Sequence, residues 1–118
     1  MQPTVTFVYP PGSAAGEDTP VSDVAPSLRS ALVAERETAR FAAAGRRGVV
    51  LRFGLLDGPG TGHDDPLDNY GTTLHVADAG AALLAALEAP SGTYNVGRDG
   101  ERVSSERFKR ITGWRPGH

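Results

Sequence analysis

With 118 residues, 39% of them hydrophobic and 22% charged, the chain has the make-up of one small globular domain over 1–118, able to bury about two thirds of its unfolded surface. A formal net charge of -2 excludes the broad positive field that nucleic acid would need, and zero cysteine excludes disulfides, thiolate catalysis and Cys-ligated zinc. No apolar run approaches the roughly 20 residues that span a bilayer, and Met1-Gln2-Pro3-Thr4 does not open a secretory leader, so a soluble, cytoplasmic protein without membrane partners is expected.

The first predicted element is a strand over Thr4 to Tyr9, β-branched and aromatic, stopped by Pro10-Pro11-Gly12. Residues 10 to 26 carry four prolines with Gly, Ser, Asp and Glu, and read as a loop. From Ser27, a candidate N-cap, the apolar positions Leu28, Ala31, Leu32, Ala39 and Ala42 recur at helical spacing until Gly45, which suits the left-handed C′ position. Val49 to Phe53 is a buried strand running into the glycine-punctuated loop Gly54-Leu55-Leu56-Asp57-Gly58-Pro59-Gly60. In open α/β sheets such a loop, at the carboxyl end of a strand, is where backbone meets a ligand. After a second loop over residues 57 to 72, Thr73-Leu74-His75-Val76 is a short extended piece. Asp78 is the expected cap of an alanine-rich helix closed by Pro90, and Gly92 to Gly97 is a further strand. In the last element Ser104 is the expected cap, with Val103 and Phe108 at the spacing of a hydrophobic staple and Gly113 as the stop. The order β-α-β-(β)-α-β-α defines an α/β fold with a largely parallel sheet.

Several clusters invite a sharper reading and do not sustain one. Gly58-Pro59-Gly60-Thr61-Gly62 follows a strand, but Asp64, Asp65 and Pro66 come next instead of a helix, so no helix dipole faces an anion. His63, Asp64, Asp65 and Asp68 offer hard ligands without calcium-loop spacing, and no metal site is expected. His75 with Asp78 is better explained as a strand-end packing residue beside a helix cap than as a base with its orienter. Arg46-Arg47 suits a helix C-terminus, and Trp114 the packing of the final turn.

The set of short motifs resembles the NAD-dependent epimerase/dehydratase family, the extended short-chain dehydrogenases/reductases. Val8-Tyr9 resembles the end of "SSxxVYG", and Glu17-Asp18-Thr19-Pro20 the acidic loop after it. Ser30 with Ala34-Glu35 resembles the "YxxSKxxxE" helix, and Leu51 to Gly60 the stretch "LRxxxxYGPG". His75-Val76-Ala77-Asp78 matches "HVxD", Gly92 to Val96 matches "GxYNVG", and Gly113-Trp114-Arg115-Pro116 matches the late "GWRP". Their order and spacing carry more weight than any single one.

The resemblance implies a partial Rossmann-like sheet, the later part of such a protein, without the amino-terminal half that holds the glycine-rich phosphate turn. It implies NAD or NADP as cofactor, a sugar or related hydroxy/keto substrate and oxidoreductase or isomerase chemistry. That chemistry needs a tyrosine to move a proton, a lysine four residues on to lower its pKa, and a serine or threonine to position the substrate hydroxyl. The motif registers put Ser27, Ala31 and Val5 at those three places, so no catalytic residue is expected in this chain and no cofactor bound by it alone. The substrate-side loop maps onto Arg52, Gly54, Leu55, Asp57 and His75, with Gly71 where an arginine is common and an added acid at Asp57 that disfavours a diphosphate. Two further expectations follow. The chain either self-associates or pairs its sheet edge with a complementary Rossmann half, and a non-catalytic binding module stands as the rival reading.

Overall fold

A computed structural model describes residues 1–10, 14–21, 26–67 and 72–118. Pro11, Gly12, Asp68 and Gly71, singled out above, lie outside these. The elements are β1 (Gln2–Val5), α1 (Arg29–Ala43), β2 (Val49–Phe53), β3 (Leu55–Asp57), β4 (Thr73–His75), α2 (Val76–Ala85), β5 (Gly92–Val96) and α3 (Glu106–Thr112). Short 3-10 turns occupy Thr6–Val8, Pro26–Leu28 and Ala86–Glu88.

Three strands form a parallel sheet in the order β1-β2-β5, and β3 and β4 form a second parallel pair. This is the α/β, Rossmann-like parallel arrangement expected. Alternation along β2 decides the layers. Val49, Leu51 and Phe53 enter the main core with Leu74, Tyr94, Val96, Phe108 and Trp114, whereas Val50 and Arg52 face α1. On the core side α2 offers Ala79 and Ala82, small residues that let its backbone approach the sheet. A second small cluster joins Tyr9, Ala15 and Val103. No helix among the described residues is long and apolar enough to cross a membrane.

Five local expectations are corrected. The first strand begins at Gln2 and ends at Val5, and Thr6 to Val8 turns, because Val8 and Tyr9 are drawn into buried positions and packing overrides strand propensity. The residue flanking α1 is Leu28, within the 3-10 turn that contains Ser27, with no side-chain cap. The cap of α2 is His75, whose Nδ1 accepts from the Ala77 N–H at 3.1 Å, while Asp78 sits in the first turn and turns its carboxylate to the Gly117 and His118 N–H groups. Before α3 the flanking residue is Ser105, whose hydroxyl is taken by the Gly97 N–H at 2.8 Å. Val103 and Phe108 fall in different apolar clusters, so the staple does not form.

Candidate functional site at the strand ends

The carboxyl ends of β1 and β2 and the start of β3 open into a cavity of about 550 Å³, walled by Val5, Phe7, Phe53, Gly54, Leu55 and Thr61 among others. The sheet topology places it there, since the parallel strands β1 and β2 end together at Val5 and Phe53, where the chain leaves β2 through Gly54. Val5, Gly54 and Leu55, named from the sequence, are brought together in this wall. Ala31 lines a separate cavity of about 340 Å³ on the α1 face of β1.

Arg52 is not in either wall. It forms a two-pronged ion pair with Glu35, Nε to Oε2 at 3.0 Å and Nη2 to Oε1 at 2.6 Å, and its Nη1 donates to the Tyr9 hydroxyl at 2.8 Å. Tyr9 in turn donates to Asn95 Oδ1, and Thr4 Oγ1 donates to Glu35 Oε2 at 2.7 Å. Burial pushes the Tyr9 phenol up against the opposing pull of Arg52, which keeps it the neutral donor this chain requires. The network locks α1 to β1 and β2.

Asp57 is buried and held by Arg98, with Nη2 to Oδ1 at 2.8 Å, and the Arg98 guanidinium beside it keeps the carboxyl below the usual aspartate range. Its charge is therefore neutralised within the protein, which corrects the expectation that Asp57 turns an uncompensated acid toward a ligand. Arg98 Nη1 also donates to Thr73 Oγ1 at 2.8 Å. His75 stacks on His118 at 4.0 Å between ring centroids, and Gly58, at φ 103°, leaves the ring room where a Cβ would come within 2.8 Å of Nε2. Burial works against ionisation of Asp78, but the N–H groups of Gly117 and His118 outweigh it and hold its carboxyl below the ordinary value.

Glu35, Tyr9, Asn95 and Arg98 were missed as site-building residues. An arginine inside the apolar run Val49 to Phe53 was the available signal, because a guanidinium in a sheet core requires a carboxylate on the helix it faces. Of the cavity wall's polar side chains, Thr4 is committed to Glu35 and Thr61 Oγ1 lies 2.8 Å from Gly58 O and 3.0 Å from His63 O. Among the described residues the imidazole of His63 is the one titratable side chain in the wall. Among the described residues no cluster of three His, Asp or Glu could hold a metal ion.

No family model matches the chain, and no curated protein matches it. Solved structures do. The chain is similar to UDP-glucuronic acid 4-epimerase from Bacillus cereus in complex with NAD, with a TM-score of 0.80 and 13% identity over 98% of this chain and 53% of that one. RMD from Pseudomonas aeruginosa complexed with NADPH gives 0.80 and 20%, over 98% and 60%. dTDP-glucose 4,6-dehydratase from Bacillus anthracis in complex with NAD gives 0.79 and 19%, over 99% and 56%. The likeness establishes the fold as that of the Rossmann-type epimerase and dehydratase structures. The chain spans somewhat more than half the length of each of these three.

Proposed function

We propose that this chain forms the later, substrate-side part of an NAD(P)-dependent epimerase/dehydratase-like fold and carries no oxidoreductase chemistry of its own. The observation that carries the reading is the superposition of nearly the whole chain on NAD- and NADPH-bound structures, together with a strand-end cavity whose wall, among the described residues, holds no tyrosine, lysine or carboxylate. The dinucleotide does not fit the described residues alone. Its pyrophosphate needs backbone N–H groups at a glycine-rich turn opening a helix, yet α2 follows β4 directly, and the guanidinium groups of Arg52 and Arg98 are engaged by Glu35 and Asp57. In this reading Gly54 and Leu55 form the substrate-side wall, Arg52, Asp57 and His75 support it from behind, and Val5, Ser27 and Ala31 stand where the reacting side chains would be. NAD or NADP would be held mainly by residues outside this chain. A second reading, a non-catalytic module that pairs its sheet edge with another polypeptide, is favoured by the position of β1 at the end of the sheet order.

A chimera tests the first reading. The amino-terminal half of the Bacillus cereus epimerase is joined to this chain, and nucleotide retention by the purified product reports that it has folded. The unaltered chimera is expected to interconvert no sugar substrate, and Ser27→Tyr together with Ala31→Lys to be required for any turnover. Turnover without them, lost on changing His63 or His75, would assign the proton transfer to a histidine and overturn the reading.

A further inference from the structure

We infer that the segment from Trp114 to His118 is a strap that sets the loop wall of the strand-end cavity, acting through the imidazole of His75. The strap has no part in the proposed function, on which it depends only for the reading of that cavity as a ligand site. Asp78, in the first turn of α2, fastens it. The carboxylate accepts from the Gly117 N–H at 3.0 Å and the His118 N–H at 3.1 Å and lies 3.2 Å from His118 Nδ1, and the Asp78 carbonyl accepts from the Trp114 indole N–H at 3.1 Å. Arg98, just beyond β5, adds a bond from Nε to the His118 main-chain oxygen at 3.1 Å. Together these contacts hold the His118 ring in place, stacked on His75 with 9° between the planes.

His75 passes that hold on to the loop. Its Nδ1 accepts from the Ala77 N–H at 3.1 Å as the cap of α2, which fixes the orientation of the ring. A Cβ on Gly58 would lie 2.8 Å from Nε2, 3.1 Å from Cε1 and 3.2 Å from Cδ2, distances that put it above the face of the ring and not beyond its edge. Gly58 therefore backs one face of His75 and His118 the other, and the ring is a spacer between loop and strap. The Gly58 N–H donates to His63 O at 2.7 Å, and Pro59, Gly60, Thr61 and His63 line the cavity, so the residue that touches the ring also closes the turn that makes the wall. Without the His118 ring, one face of His75 loses its van der Waals partner and the imidazole is free to move off Gly58. Such coupling is reciprocal: a loosened turn loosens the strap as well.

Amide hydrogen exchange in the whole chain tests this. His118→Ala removes the ring and keeps the main-chain bonds of the strap, and should speed exchange of the Gly58 N–H by at least about fivefold. His118→Phe keeps a ring on His75 and loses only the contact of Nδ1 with Asp78, so it should restore the protection of Gly58 to within about twofold of the parent. Gly58→Ala drives a methyl group into the His75 ring and should in turn speed exchange at Gly117 and His118 by at least about fivefold. Leu51 and Val96, in the sheet, should exchange at the parent rate throughout. An unchanged Gly58 in His118→Ala, no recovery in His118→Phe, or an unchanged strap in Gly58→Ala would overturn the inference, as would equal acceleration at Val96, the mark of a general loss of stability. Should Gly58→Ala fail to fold, the two His118 variants decide alone. An active unaltered chimera would overturn the proposed function and leave the exchange result standing, and an inert chimera with Gly58 unchanged in His118→Ala would overturn the strap alone.

Discussion

Arg52 sits 7% exposed in the middle of an otherwise apolar strand, a placement that is stable only because Glu35 and Tyr9 take up its donors. Removing one partner leaves the other charge buried. Arg52→Ala should therefore lower stability in urea unfolding by about 3–5 kcal/mol, and Arg52→Leu combined with Glu35→Leu should recover much of the loss. A single variant within about 1 kcal/mol of the parent would mean that the pair is solvated in solution. Acid acts through Asp57 and Asp78, both held below the usual aspartate value. For groups with depressed folded values, the stability they contribute is present above the unfolded value near 3.9 and is lost as pH falls through the folded one. Unfolding free energy measured from pH 6 to pH 2 should therefore fall through the region below about pH 4. Asp57→Asn should be less stable at neutral pH and decline less steeply; an unchanged slope would show that Arg98 does not hold the carboxylate.

The pairing of β3 with β4 depends on a close approach. At Gly54 a Cβ would lie 2.8 Å from the carbonyl of Thr73, and Leu55 N–H must reach the Thr72 carbonyl at 3.0 Å just beyond it. Gly54→Ala should push the two strands apart, lowering the melting temperature and speeding amide exchange at Leu55 and Leu56 while sparing β5. Unchanged exchange at these positions would mean that the loop yields without cost. This pair was also the part of the fold least legible in the sequence. Val49 to Phe53, Gly92 to Val96 and the stops at Gly45 and Gly113 could be read from continuous apolar runs and glycine positions. Leu55 to Asp57 could not, because three residues after a glycine carry no period and their partner lies 18 positions away in the paired register. The caps of α2 and α3 were misplaced for a related reason. Asp78 has the right chemistry for a cap, but the distant backbone N–H groups of Gly117 and His118 claim its oxygens, and Ser104, the expected cap of α3, lies one residue before the flanking Ser105, whose hydroxyl is taken by the Gly97 N–H. In the cavity wall, Gly54 and Leu55 had been named from one loop and Val5 from a separate strand, and only the fold brings them together, whereas the partners of Arg52 and Asp57 are tertiary contacts across 17 and 41 residues.

At the scale of the whole molecule, the sheet ends on an edge strand flanked by cavities, and α1, which covers one face, has no fully buried residue. Val33 and Phe41 on α1 are nearly half exposed. An open edge beside apolar surface seeks a partner. The purified chain should accordingly elute broadly and in a concentration-dependent way in light-scattering chromatography. A sharp monomer at all concentrations, with a cooperative transition independent of concentration, would show that the edge is already covered. The central claim, that this part of the fold has the substrate-side wall without the dinucleotide site, is tested most directly by calorimetric titration of the 118-residue chain with NAD(H) and NADP(H). The account predicts no saturable heat into the millimolar range. A dissociation constant in the low micromolar range, about 8 kcal/mol of binding, would contradict it.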